Sequence, residues 1–183
     1  SQFPASLQML YALALLWRGA IAAKLFHFSF GVIALGAVFA LTRRHISGPA
    51  APWAAVVLAA TPVFSWLMGT AYVGLPVVAC VLMSVLFFLE WIASGAGRDA
   101  ALSGLLAGAA MAFKMQGIPY FGLLLLFAVY IAWRQRRQET PRWRVVAIFG
   151  AVGLLVASPW YIKSWVITGN PVYPFAYSIF GGK

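Results

Sequence analysis

The residues of this chain that could take part in chemistry are mostly basic and lie at breaks between apolar segments. Lys24 and His27 are three positions apart, which places them on one face of a helix. Lys114 and Gln116 lie between two apolar segments, and Lys163 follows the last long one. An ammonium group is a compact positive charge with three hydrogen-bond donors, and such groups bind phosphate. We therefore predict phosphate binding by Lys114, Lys24, Lys163 and Gln116.

Each of these residues also has a simpler explanation. His27 is the candidate general base, and the alternative is a hydrogen-bonded histidine near a membrane interface. Lys114 could extend its ammonium group to the interface without any other function, and Lys163, close to Trp160 and Trp165, could be an interfacial anchor. The sequence contains no Cys and His spacing typical of a metal site, no glycine loop for phosphates and no nucleophile elbow. We predict no metal and no cofactor, and no catalytic residue is assigned.

The composition requires a membrane as solvent for most of the chain. Of its 183 residues, 63% are hydrophobic and 9% are charged. A soluble domain of this size cannot bury so much apolar surface in one core. The net charge of +10 does not indicate nucleic-acid binding, because the basic residues are spread between apolar segments and form no basic face. We predict an all-α, polytopic helical bundle whose partners include membrane lipids.

The charged residues divide the chain into apolar spans. The uncharged segment Ile46–Leu89 would be roughly 66 Å long as one helix, about twice the thickness of the hydrocarbon core. It must fold back, and residues 69–76 contain the glycines and the proline that allow this. Residues 5–17 are too few to span and predict an interfacial helix, whereas 163–183 predict a segment on the outer face. The six predicted spans are residues 25–42, 51–68, 72–91, 100–115, 118–133 and 145–162.

Basic residues predict the orientation of these spans. Loops on one side contain eight basic residues, and those on the other side contain five, namely Arg18, Lys24, Lys114, Lys163 and Lys183. The eight-residue side is predicted to be cytoplasmic, with loops 43–50, 92–99 and 134–144, so that both ends of the chain face outward. All three acidic residues fall on the cytoplasmic side, and the outer side has none. The eight cytoplasmic residues are Arg43, Arg44, Arg98, Arg134, Arg136, Arg137, Arg142 and Arg144, and the acidic ones are Glu90, Asp99 and Glu139.

The span at 100–112 is rich in small residues. The sequence Gly104-x-x-x-Gly108 allows the backbone of another helix to approach closely. We therefore predict that this helix is buried in the bundle, and that Lys114 at its end faces the bundle as well. The small residues are Ala100, Ser103, Gly104, Ala107, Gly108 and Ala112.

Several stretches resemble bacterial polytopic glycosyltransferases of the GT-C class, relatives of the protein O-mannosyltransferases and the aminoarabinose transferase of lipid A. The clearest are Ser158-Pro-Trp-Tyr-Ile-Lys163 and Thr168-Gly-Asn-Pro-Val-Tyr-Pro-Phe175. Phe3-Pro4 through Lys24-Leu-Phe-His27 and Gly104-Leu-Leu-Ala-Gly108 leading to Lys114 and Gly117 are similar too, in the same order. The resemblance implies a multi-span helical fold in the bacterial inner membrane, a polyprenyl-phosphate sugar as donor and transfer on the outer face.

The chain also departs from that pattern. The essential outer-loop Asp of the family lies upstream of the region matched by Ser1, so we expect a piece of a longer protein that is inactive alone. Tyr72-Val-Gly74 replaces a Tyr-x-Asp pattern, Lys114-Met-Gln-Gly117 replaces Lys-Tyr-Thr-Gly, and Ser164 stands where Asn is frequent. Whether the chain is an enzyme therefore stays open.

Three hypotheses follow from the sequence. The first is part of a glycosyltransferase that uses a polyprenyl-phosphate sugar. The second is a non-catalytic membrane subunit derived from the same fold, packed against other membrane subunits. A small transporter ranks last, because ionisable residues within facing spans are expected there and only Lys114 comes close.

Overall fold

The structure is a computed structural model that describes residues 4–70, 72–135, 143–173 and 175–181. It is 85% helical, and its described residues contain no strand, which confirms the all-α prediction. Arg136, Arg137, Glu139, Arg142 and Lys183 lie outside the described residues, as does most of the predicted loop 134–144. The helices are α1 (Ser6–His45), α2 (Ala51–Ala60), α3 (Pro62–Met68), α4 (Gly74–Ser94), α5 (Gly97–Phe113), α6 (Gly117–Arg134), α7 (Trp143–Thr168) and α8 (Tyr177–Phe180).

The number of spans differs from the sequence prediction. Among the described helices, α1, α4, α6 and α7 are long and apolar enough to cross a membrane, and the pair α2–α3 would make a fifth if it counts as one span. That pair is bent by 76°. The predicted span 100–115 corresponds to α5, which has 17 residues and is mostly enclosed by other helices. The predicted count of six is therefore not confirmed, although each of the six predicted segments is largely helical.

The bend between α2 and α3 follows from one dipeptide. Thr61 precedes Pro62, and a residue before proline is disfavoured in the helical conformation. Thr61 has φ −66° and ψ 120°, an extended conformation, and its hydroxyl donates to the carbonyl of Val57. The span predicted at 51–68 did not allow for this break. By contrast, the fold-back predicted at 69–76 is confirmed, because α3 ends at Met68 and α4 begins at Gly74.

Helix α5 forms the centre of the bundle and makes its most extensive contacts with α7 and α4. All six small residues named above for this helix are buried, which confirms the predicted burial. A Cβ atom on Gly104 would meet the backbone of Phe149, and one on Gly108 would meet the backbone of Gly153. On the α4 side, the Ser84 and Ser103 hydroxyls each donate to the other residue's carbonyl at 2.9 Å. Close backbone packing on one face and satisfied polar groups on the other thus fix α5 in place.

The helices alternate between two ends of the bundle. At the Glu90 end, which includes breaks 46–50 and 95–96, Arg44 Nη1 lies 2.7 Å from Glu90 Oε1. At the Lys114 end, the break after α3, the break 114–116 and the segment after α7 come together around one pair of grooves. The grouping of loops at two ends is the one that the predicted topology requires.

Helix α1 is interrupted at Arg18 and Gly19, and its first part forms an arm, residues 4–17, that folds against the Lys114 end. Gly19 has φ 70° and ψ −161°, a conformation adopted almost only by glycine. Leu7 of the arm is fully buried, whereas Leu16 and Trp17 are largely exposed. The predicted interfacial helix is thus continuous in sequence with α1 but bent away from it, which leaves the remainder of α1 to run along α4.

Replacing Gly19 with alanine is expected to loosen the arm. No heavy atom lies within 4 Å of a Cβ built at Gly19, so alanine would cause no steric clash with other residues. The bent conformation would be destabilised by about 1–3 kcal/mol through the backbone conformation alone. Amide hydrogen exchange of residues 6–17 should accelerate while exchange in α4 stays constant. Gly36→Ala is the matched control, since Gly36 is helical and also has open space around it. Equal exchange of the arm in both variants would contradict the prediction.

Candidate functional site

Lys114 lies at the point where α5 ends and the chain turns into α6. It has extended dihedrals, φ −158° and ψ 141°, and caps α5 through its backbone N–H, which donates to the Ala110 carbonyl. Its side chain is partly buried, and its Nζ atom lies 5.8 Å from the centre of the Tyr72 ring. No described acidic side chain forms an ion pair with it. The ammonium charge at this end is therefore available to an anion.

A groove between α4 and α6 opens next to Lys114. The α4–α6 groove has a volume of about 630 Å³. Its walls are apolar along α4, whereas Lys114, Gln116 and Tyr120 contribute polar atoms. This arrangement suits an amphipathic ligand with an anionic head and an apolar chain. The remaining lining residues are Gly74, Val77, Val78, Val81, Leu82 and Pro119.

A second groove adjoins the first and shares two of its residues. The arm groove has a volume of about 420 Å³ and is closed on one side by Pro4 and Gln8 of the arm. Lys114 and Gln116 line both grooves, so a group bound by them contacts two spaces of different shape. The other residues of the arm groove are Tyr72, Val73, Phe113, Met115 and Phe175.

Of the four predicted phosphate-binding residues, only two lie together. Lys114 and Gln116 lie together, as one site requires. Lys24 is exposed on α1, and Lys163 is exposed on α7; neither lines these two grooves. Lys163 Nζ lies 4.4 Å from the centre of the Trp160 ring, a cation–π geometry that fits an interfacial anchor.

His27 occupies a buried position under the arm. It is fully buried, and its Nδ1 atom lies 2.5 Å from the Tyr11 hydroxyl. Its Nε2 atom is buried, and no described residue forms a hydrogen bond with it. His27 lines neither groove. A general base must reach the proton that it removes, and this position instead favours the hydrogen-bonded alternative.

The comparisons with known proteins give one family. The model described as "Domain of unknown function (DUF8201)" matches residues 7–182, nearly the whole chain. The chain belongs to this DUF8201 family. No curated protein and no solved structure matches it.

The two described acidic residues of this DUF8201 domain, Glu90 and Asp99, line neither groove. Glu90 pairs with Arg44, and Asp99 accepts a hydrogen bond of 2.9 Å from the Ser94 hydroxyl, both at the Glu90 end. In the part of the chain that the structure describes, no three His, Cys, Asp or Glu side chains could hold a metal ion. Described side chains at the Lys114 end thus offer positive charge, amides and hydroxyls, but no carboxylate.

The segment after α7 is held by Asn170. This side chain is fully buried, and its Nδ2 donates to the carbonyls of Phe175 at 2.8 Å and Gly181 at 3.1 Å. Gly169 before it has φ +74°, a conformation that favours glycine, and it follows the last residue of α7. The hydrogen bonds of Asn170 place Phe175 at the arm groove of the DUF8201 domain.

Two contributors to the site were not found by sequence reasoning. Tyr120 is exposed on α6 and follows Pro119, three residues from the glycine that begins the helix. Its place in the first turn of an apolar helix was readable, but nothing in the sequence marked it as a polar residue lining a groove. Tyr11 is 16 positions from His27, and only the bend at Gly19 brings the two together.

Proposed function

We propose that this domain is the lipid-phosphate-binding membrane part of a glycosyltransferase of the GT-C type, which takes its sugar from a polyprenyl-phosphate donor on the outer face of a bacterial inner membrane. One observation carries the proposal: Lys114 and Gln116 lie at an apolar groove between two long helices. A polyprenyl phosphate matches this groove, since its anionic phosphate suits Lys114 and its hydrocarbon chain suits the apolar walls.

The electrostatics of the Lys114 end support an anionic ligand. The described acidic residues lie at the opposite end, so no described carboxylate there competes for the ammonium group. The excess of basic residues at the Glu90 end favours a cytoplasmic location for it, which would place the Lys114 end outside. A lipid phosphate at the outer interface would then lie at the height of Lys114, with its chain along α4.

The second candidate is a non-catalytic membrane subunit that binds the same lipid. It is favoured by the absence of a carboxylate among the described side chains around the grooves, because general-base chemistry on a sugar acceptor usually needs one. Sugar transfer separates the two candidates. Turnover that copurifies with the chain supports the enzyme and returns attention to His27, whereas binding without turnover supports the subunit or an enzyme completed by another segment.

Binding of the lipid is the primary test. The purified chain in nanodiscs should bind undecaprenyl phosphate at least about tenfold more tightly than undecaprenol, because a charge-assisted hydrogen bond to the phosphate is worth about 1.5–3 kcal/mol. Val78→Trp, which fills the α4–α6 groove, should abolish most of this binding. Val129→Trp is the matched control, since the two valines are 39% and 37% exposed and Val129 lines neither groove. Equal affinity for the phosphate and the alcohol would refute the proposal.

A further inference from the structure

The carbonyl of Tyr72 lies in the short segment before α4 and receives a hydrogen bond from the arm. Tyr72 precedes Val73, the N-cap residue of α4, so the Tyr72 carbonyl takes part in no hydrogen bond within that helix. The Tyr11 hydroxyl supplies a donor instead, at 2.8 Å from the Tyr72 oxygen. The arm thus provides a hydrogen-bond donor for a backbone carbonyl that lies outside α4.

The hydroxyl of Tyr11 connects two partners, and its single proton sets the direction of both bonds. Because this proton goes to the Tyr72 carbonyl, the contact with His27 requires that Nδ1 of the imidazole donates to the Tyr11 oxygen. His27 therefore orients the hydroxyl, and the hydroxyl holds Tyr72. The Tyr11 ring itself packs edge-on against Phe26, with ring centres 5.7 Å apart.

The Tyr72 side chain is on the other side of this linkage, at the candidate site. Its ring lies beside the Lys114 ammonium group and lines the arm groove. Tyr72 is 54% exposed, so packing alone does not fix its position. The hydrogen bond from Tyr11 holds the backbone from which the Tyr72 ring projects.

We infer that Tyr11 is a positioning residue of the lipid-phosphate site. By holding the Tyr72 backbone, it keeps the Tyr72 ring beside Lys114 and keeps the arm in place as one wall of the arm groove. This inference rests on the proposed function for the ligand, but the coupling of Tyr11 to Lys114 is a property of the chain itself. It can therefore be measured without any lipid.

The test measures how fast a water-soluble amine-reactive reagent labels each lysine of the purified chain, read by mass spectrometry. Tyr11→Phe keeps the ring packed on Phe26 but removes the hydroxyl. Lys114 labelling should rise about twofold to tenfold, the range that corresponds to one lost neutral hydrogen bond. Lys24 and Lys163, both exposed already, should keep their rates and serve as internal controls. Tyr130→Phe is the control variant, since it also removes one tyrosine hydroxyl, from an exposed ring beside Arg134 at the far end of α6.

A second variant separates positioning from general loosening. Tyr72→Leu should raise Lys114 labelling by itself, and adding Tyr11→Phe should then change nothing further, because Tyr11 acts through Tyr72. The inference would be overturned by unchanged Lys114 labelling in Tyr72→Leu, by additive effects in the double variant, or by an equal rise at Lys24, Lys114 and Lys163. Undecaprenyl phosphate should protect Lys114 in the unmodified chain. If the lipid gave no such protection while the labelling of the variants changed as expected, the proposed function would be refuted and the role of Tyr11 would stand.

Discussion

Replacing Gly108 with alanine is expected to destabilise the bundle strongly. The added Cβ would lie 2.9 Å from the Gly153 Cα and still closer to the Gly153 carbonyl oxygen. These are backbone atoms, so no side-chain rotation can relieve the overlap, and α5 and α7 must move apart. Overpacking of a tight core costs about 1–3 kcal/mol and occasionally more, and we expect the upper part of this range or above it.

The measurement is the free energy of unfolding in a fixed detergent, with the loss of helical signal as readout. Gly122→Ala is the matched control, because no heavy atom lies within 4 Å of its added Cβ and its φ is ordinary. That variant should be unchanged or slightly more stable, since alanine restricts the unfolded chain. Similar stabilities of the two variants would show that α5 and α7 do not pack as closely as the structure places them.

The close contact of α5 and α7 illustrates what the sequence could and could not predict. The small residues of α5 mark a buried helix, because only a close neighbour makes a stripe of glycine and alanine favourable. The partner was not predictable in the same way. Gly153 is one glycine in an apolar helix, and its pairing with Gly108 depends on the register of two helices that are far apart in sequence.

The predicted count of six spans is not confirmed, for a local reason and a global one. Thr61-Pro62 is a readable helix break, and it divides the second predicted span into two helices bent by 76°. The status of α5 depends on packing, since a 17-residue helix enclosed by α4, α6 and α7 meets lipid very little. Length and hydropathy describe a helix in isolation and cannot tell a span from a central helix of a bundle.

Only part of the candidate site was predicted from the sequence. Lys114 and Gln116 stand out because polar residues between two apolar helices must lie at an interface. The contribution of the arm could not be seen, because Gly19 has a rare conformation that folds residues 4–17 back onto the bundle. Proximity of Tyr11, His27 and Tyr72 is a consequence of that fold-back and leaves no periodic pattern in the sequence.

Replacing Lys114 with alanine is expected to weaken binding of undecaprenyl phosphate by about tenfold to a hundredfold. A hydrogen bond between two ionised groups contributes about 1.5–3 kcal/mol, and each 1.4 kcal/mol corresponds to about a factor of ten in affinity. Lys114→Met should show the same loss, since methionine keeps much of the apolar stem beside Tyr72 and removes only the charge. Affinity for undecaprenol, which has no phosphate, should change little in either variant.

Lys163→Ala is the matched control for this experiment, because it also removes one ammonium group from the same end of the chain. Lys163 is exposed over Trp160 and lines neither groove, so its loss should alter binding by less than about twofold, within the range of a screened surface charge. Affinities are compared at matched stability of the folded chain. If all variants bound equally, Lys114 would be a residue that merely reaches the interface with its ammonium group. The apolar groove would then bind a ligand whose head does not need a cation, and the non-catalytic subunit would be the better description of this domain.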